Sequence, residues 1–345
     1  MKEMIKKNWI YAMMLSVATL SFTACSSDDD DNGGTLDVPA YKDVSALYTI
    51  TQSGSNYSSI ELTESGNYVI VRNSSNSRRE ITRAVANEKL AGFVVSPWFS
   101  DMTRSTTYNN IITGKYTKNG DNTFVLEGFG TIAVTSAGDS SYSLEITENG
   151  SQPYTLTAAR KEQYPGAEQT VKLCRTWHIS SIRMLMSGTA DNEGQSLNFS
   201  IDESVDGGDM PSLMYKCYAS MMRWAINASG KSVPESYFEE ELAEQKKRFE
   251  SAYPYVEDMI FTQVGTYMVT YKGDKLAIST WTWQGDSFDK IHYSWNYSNM
   301  TSVISGDCKV EFNGNKCIIT EEKSGSADIV RNADVKAIYT LTEVK

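Results

Sequence analysis

Few side chains in this sequence have the means for chemistry. His178 and His292 are the only imidazoles in 345 residues. Neither has a His-x-His or Cys-x-x-Cys companion at ligand spacing, so neither is expected to hold a metal. Two Gly-Asp-Ser triplets, Gly138 to Ser140 and Gly285 to Ser287, would present a serine on a turn. A hydrolase built on such a block also needs an Asp-x-x-His near the C-terminus, and no His follows His292. Hairpin turns explain the triplets better. We therefore expect no catalytic residue, no metal, no cofactor and no enzymatic activity.

Aromatic residues give a more pointed pattern. Trp281 and Trp283 share one alternating segment; on the next, Ile291, Tyr293, Trp295 and Tyr297 alternate with His292, Ser294, Asn296 and Ser298. Period-two alternation sends the large side chains to one face of a sheet. Lining a cavity, Trp281, Trp283, Tyr293 and Trp295 would form a flat apolar wall for a lipid, a polyaromatic or a sugar ring. Packed against other elements they are core, the commoner use of such residues.

The bulk composition narrows the partners. Acidic residues number 43 against 32 basic ones, a net charge of −11, and no concentrated basic surface is legible. Nucleic acid is therefore not an expected partner. With 40% hydrophobic and 22% charged residues the chain is too polar for a helical membrane protein and long enough for two cores.

The N-terminus carries Lys2, Lys6 and Lys7, then an apolar run from Trp9 to Phe22, the form of an export signal. It ends in Phe22-Thr23-Ala24-Cys25, which resembles a bacterial lipobox. The expectation is a signal peptide over 1–24, with Cys25 acylated as the new N-terminus. A tether over 25–40 follows, with the acidic run Asp28 to Asp31 kept extended by charge repulsion and glycines. An acidic tract at this distance from a lipidated Cys resembles the surface-export signal of Bacteroidetes lipoproteins, which implies an anchor on the outer face of the outer membrane. Multiple acyl chains can hold an acidic protein there without electrostatic help.

Beyond about Ser45 short alternating segments rich in Tyr, Thr, Ile and Val are broken by glycine turns, an antiparallel β signature. The sequence also repeats. Ile60 to Ile70 runs parallel to Met259 to Val269, and Tyr116-Thr117 with Gly120-Asp121 matches Trp281-Thr282 with Gly285-Asp286. Tyr-Thr-Leu-Thr closes both halves at 154–157 and 339–342. Before that close, Leu144 to Thr147 aligns equally well with Val310 to Asn313 or with Cys317 to Thr320. We expect one β domain over 41–160, a linker over 161–170 and a second β domain over 171–345.

A helical insertion at about 203–254 is expected in the second domain. Met214, Cys217, Tyr218, Met221 and Ala225 form one stripe, with Pro211 in the first turn and Gly230 after the end. Ser232 and Glu235 then suggest a capping box, and Pro254 stops the second helix. The Met-rich stripe reads as core or as a soft binding surface.

Leu173-Cys174-Arg175-Thr176-Trp177, the Gly265-Thr266-Tyr267 turn and Trp281-Thr282-Trp283 make the second half resemble the lipocalin-like domains of Bacteroidetes lipoproteins; the first half is similar. In that family a Gly-x-Trp opens the first strand and its Trp plugs the closed end. Trp177 keeps that place, Arg175 stands at the glycine, and Tyr48 is the counterpart of Trp177 in the first half. The resemblance implies tandem up-and-down β-barrels or curved sheets, all-β apart from the helices, with a pocket for a small apolar or amphipathic ligand. It implies no chemistry. The alternative is a structural or interaction lipoprotein whose filled barrels dock on an outer-membrane partner or a glycan.

Four cysteines remain besides Cys25. An Asn313-Gly314 turn pairing Phe312 with Asn315 would set Cys308 and Cys317 diagonally, too far apart for a disulfide. A Cys174 to Cys217 bridge stays open.

Overall fold

The alternating segments of the first half form eight strands: β1 Ala46–Ile50, β2 Tyr57–Leu62, β3 Asn67–Arg72, β4 Ile111–Lys118, β5 Thr123–Leu126, β6 Gly130–Gly138, β7 Ser141–Glu148 and β8 Tyr154–Arg160. Each pairs antiparallel with the next, and β8 pairs with β1 to close a barrel. The computed structural model describes residues 36–73, 92–96, 111–138, 140–164, 168–192, 195–230, 232, 234–273, 275–295, 304–327 and 330–344. The signal segment, Cys25 and the acidic run lie outside these residues, as does Tyr297.

A short helix α1, Glu168–Leu173, leads into the second half. Its strands are β9 Thr176–Asn192, β10 Gln195–Asp206, β11 Val256–Phe261, β12 Thr266–Tyr271, β13 Lys275–Trp283, β14 Lys290–Ser294, β15 Ser305–Asn313, β16 Lys316–Ala327 and β17 Val330–Glu343. β9 pairs with both β11 and β17, so eight of these strands close a second antiparallel barrel. β11 takes only Thr176 to His178 of β9; β10 pairs with Ser181 to Asn192 and extends the wall beyond the ring.

The two barrels repeat one another in hydrogen-bonding detail. Leu62 pairs with Tyr68 and Ile60 with Ile70; Phe261 pairs with Tyr267 and Met259 with Val269. In the first turn the Tyr116 amide donates to Gly66 O (2.8 Å) and its hydroxyl to Thr63 O (2.7 Å). In the second the Trp281 amide donates to Gly265 O (2.9 Å) and its indole to Thr262 O (3.1 Å). Gly66 and Gly265 both take positive φ, 76° and 88°, which L side chains rarely adopt. Tyr164 belongs to this repeat and not to a linker: its ring meets Trp281 as Tyr41 meets Tyr116, and its amide donates to Gln263 O as that of Tyr41 donates to Glu64 O. The pairing also resolves the alignment before the close. Leu144 opposes Leu156 and Cys317 opposes Leu341, so Leu144 to Thr147 correspond to Cys317 to Thr320.

Equivalent outer faces of the barrels meet. Val69, Val71 and Ile111 pack with Ile260, Met268, Leu276 and Ile278. Beside this apolar patch the buried Glu61 accepts from the hydroxyls of Thr262 (2.7 Å) and Thr266 (2.6 Å), and Glu64 Oε1 accepts from the Gln263 amide (3.1 Å). Lys161 Nζ donates to Val264 O at 2.7 Å.

The insertion differs from its sequence outline at its start and in one cap, and ends before Pro254 as expected. Residues 203–206 are the end of β10, and the helices are α2 Met210–Ser229 and α3 Glu235–Ala252. Asp209 caps α2 by accepting from the Ser212 amide, and Gly230 ends it in the left-handed conformation (φ 62°). The Ser232–Glu235 capping box does not form. Pro234 is the N-cap of α3 and makes no side-chain cap, so Ser232 lies too far ahead to reach the first-turn amides. Tyr253 is extended before Pro254, as a residue preceding proline must be. Leu213, Cys217 and Met221 of α2 join the core against the sheet, while Tyr218, Ala219 and Met222 pack on Phe238 and Leu242 of α3. The methionine stripe is core.

The β15–β16 register also departs from expectation. Asn313 pairs with Lys316 and Phe312 with Cys317, so the turn is Gly314-Asn315, with positive φ (60°) at Gly314 only. Glycine at the first central position is the type II′ arrangement; an Asn-Gly type I′ turn needs positive φ at both. Cys308 therefore opposes Glu321, and Cys174, Cys217, Cys308 and Cys317 are all free, buried thiols.

Candidate functional site

Trp281, Trp283, Tyr293 and Trp295 share one face; Trp281, Tyr293 and Trp295 are fully buried and Trp283 is half-buried. Trp281 and Trp283 sit at the closed end. The Trp283 indole donates to Thr170 Oγ1 of α1 (3.0 Å), and Trp281 stacks edge-on against Phe261. Trp177 is fully buried beside them and donates to Leu173 O at 2.9 Å. Arg175, in place of glycine, does not disturb closure. Its guanidinium lies 5.6 Å from the Trp177 ring, donates to Lys172 O, Val171 O and Asp37 O, and pairs with Glu343. These four partners satisfy a charge that is 3% exposed.

Tyr293 and Trp295 face a segment that the sequence pattern did not single out. Residues 92–96, from the connection between β3 and β4 of the first barrel, enter the lumen of the second. Phe93 is wholly buried and its ring lies within 6.3 Å of Phe261, Tyr267, Tyr293 and Tyr339. Those four come from β11, β12, β14 and β17, positions around the ring that converge only inside it. The Tyr267 contact is nearly parallel, at 4.9 Å and 4°.

Five main-chain groups of this plug meet side chains of the barrel. Trp295 Nε1 donates to Gly92 O (2.9 Å), Tyr267 OH to Phe93 O (2.9 Å) and Tyr271 OH to Val94 O (3.0 Å). The Phe93 amide donates to Glu321 Oε2 (3.2 Å) and the Ser96 amide to Tyr271 OH (3.0 Å). An unpaired main-chain group in such a place costs about 1–3 kcal/mol, so these five bonds are what lets a loop lie in an apolar lumen. Glu321 also accepts from Tyr293 OH (2.7 Å) and pairs with Lys323 (3.2 Å). Burial, with the Glu321 carboxylate beside them, holds the Tyr293 and Tyr339 hydroxyls well above the usual tyrosine range, so both stay neutral donors.

The first barrel closes on itself. Ile60, Leu62, Ile70, Leu144, Ile146 and Leu156 fill its centre.

The polar candidates are surface pairs. His178 Nδ1 lies 2.8 Å from Asp258 and His292 Nδ1 2.6 Å from Asp307, each across adjacent strands. Gly138 and Ser140 flank the β6–β7 hairpin and Gly285 to Ser287 lie in the β13–β14 connection. Among the described residues no group of three or more His, Cys, Asp or Glu is placed to hold a metal, and no helix is long and apolar enough to cross a membrane.

Sequence reasoning passed over Phe93 and Glu321. A signal existed for each: Phe93-Val94-Val95 is an apolar run inside a long connection, and Glu321 occupies an inward position in the alternation Cys317, Ile319, Glu321. No protein-family model and no curated protein matches the chain.

Proposed function

We propose that this is a non-catalytic, lipid-anchored surface lipoprotein of the Bacteroidetes lipocalin-like kind, which holds a small apolar or amphipathic molecule in its second barrel. One observation supports the binding role: the second lumen closes on a segment supplied from outside it, whereas the first is filled by its own strands. An apolar lumen with a few convergent polar groups has the usual make-up of a small-molecule site. Acylation of Cys25 and export past the acidic run would place it on the outer face of the outer membrane.

Native mass spectrometry of the Phe93→Ala variant, whose lumen lacks the plug's ring, purified from the protein's own host tests the binding role. A co-purifying small molecule is expected, and its consistent absence overturns it. Palmitate labelling lost in Cys25→Ala, with protease sensitivity on intact cells, tests the anchor and its side; full protection of the protein overturns the surface placement. The second reading, an interaction lipoprotein docking on a partner or glycan, draws on the filled first barrel.

A further inference from the structure

We infer that the second lumen is a peptide site, taking a turned stretch of main chain that carries one aromatic side chain, and that residues 92–96 are the occupant it carries in cis. The inference rests on the receptor reading above and names its ligand class. Three donors, Trp295, Tyr267 and Tyr271, meet three consecutive carbonyls, Gly92 to Val94. A lipid or sterol offers no such repeat of acceptors; a polypeptide does at every residue. Glu321 reads the amide that belongs to the aromatic residue, and the rings of Phe261, Tyr267, Tyr293 and Tyr339 read its side chain. Main-chain bonds supply affinity and a side-chain pocket supplies selectivity, the division of labour by which proteins recognise peptides.

The origin of the plug supports the same conclusion. β3 ends at Arg72 and β4 begins at Ile111, although the two strands pair directly. In the second repeat the equivalent strands β12 and β13 are joined by the short turn between Tyr271 and Lys275. Strand pairing therefore does not need the long connection; connections of more than about 12–15 residues are uncommon and are either functional or linkers, and Phe93 to Val95 of this one are packed in a core. Gly92 fits the site closely, since a Cβ there would come 3.3 Å from Glu321 Oε2.

Phe93→Asp in the full chain tests the inference. The new carboxylate would sit beside Glu321 in an apolar lumen, so the plug should leave. The probe is fluorescent N-acetyl-Gly-Phe-Val-Val-Ser-amide, read by polarisation. The variant should bind it at least tenfold more tightly than the unaltered chain does, and at least tenfold more tightly than the same peptide with Ala for Phe. A folded variant without that preference overturns the inference. Uptake of a fluorescent fatty acid but not the peptide overturns the peptide class and leaves the receptor reading standing; uptake of neither overturns both. An unaltered chain that runs as a plug-exchanged dimer overturns it in favour of a second copy as occupant. If Phe93→Asp does not fold, Phe93→Leu keeps the lumen apolar and should show the same preference more weakly.

Discussion

Replacing Glu64 by Gln should remove its own share of the pH dependence of the contact between the barrels. Glu64 is 1% exposed; its Oε1 accepts from the Gln263 amide, while Oε2 is buried with no hydrogen-bond partner. Burial pushes its carboxyl up to about 7, against the lowering effect of its main-chain hydrogen bonds. In the unfolded chain the same group titrates near 4.5. Below that pH both states hold the proton. Between about 4.5 and 7 the folded state keeps a proton that the unfolded state has lost, so stability falls as pH rises, by about 1.4 kcal/mol per pH unit. Across the window the loss is about 3 kcal/mol, complete above the folded value. Glu61, raised mainly by burial, acts in the same direction and remains in the variant. Urea unfolding from pH 5 to pH 8 on both proteins gives the difference directly. Glu64→Gln should be the more stable protein at pH 8, and its advantage should shrink by about 2.5 kcal/mol on going to pH 5. An advantage that is the same at both pH values would refute the reasoning.

Phe93→Ala should cost about 3–5 kcal/mol, the range for a wholly buried aromatic, as measured by denaturant unfolding; a cost under about 1 kcal/mol would mean the lumen collapses without its plug. Arg175→Ala leaves Glu343 facing the closed end without its cation and should cost about 3 kcal/mol, while Arg175→Lys recovers only part because an ammonium cannot reproduce the guanidinium fork. A thermal melt of the three proteins measures this. Burial pushes the Cys217 thiol up to about 12 and holds Cys174, Cys308 and Cys317 well above the ordinary range. These four should ignore an aromatic disulfide reagent in the native state and react in denaturant; rapid native labelling of any of them contradicts their burial.

Local chemistry carried much of the fold. Ile60 to Ile70 and Met259 to Val269 showed strand, glycine turn and strand, and those hairpins stand in matching places of the two barrels. Pro211 and Gly230 marked the ends of α2, because φ restriction and left-handed backbone are properties of single residues. Contacts between distant residues were not legible in this way. Alternation put Tyr293 and Trp295 on one face, yet a period of two says nothing about what lies against that face. The answer came from Phe93, about 200 residues away along the chain. Register at Gly314 failed for a related reason: Asn-Gly and Gly-Asn turns both fit the same few residues, and the choice between them follows from the pairing of the rest of both strands.

Glu64 and Gln263 occupy equivalent places in the two repeats, and the Gln263 main-chain amide donates to the Glu64 carboxylate where equivalent outer faces of the barrels meet. In a dimer of identical chains a residue on the two-fold axis meets its own copy, so a glutamate there would face a glutamate. Joining both halves in one polypeptide lifts this constraint. Each half can change alone: the acid at position 64 rests on a main-chain N–H of the other barrel, and the glutamine there brings no second carboxylate to repel it.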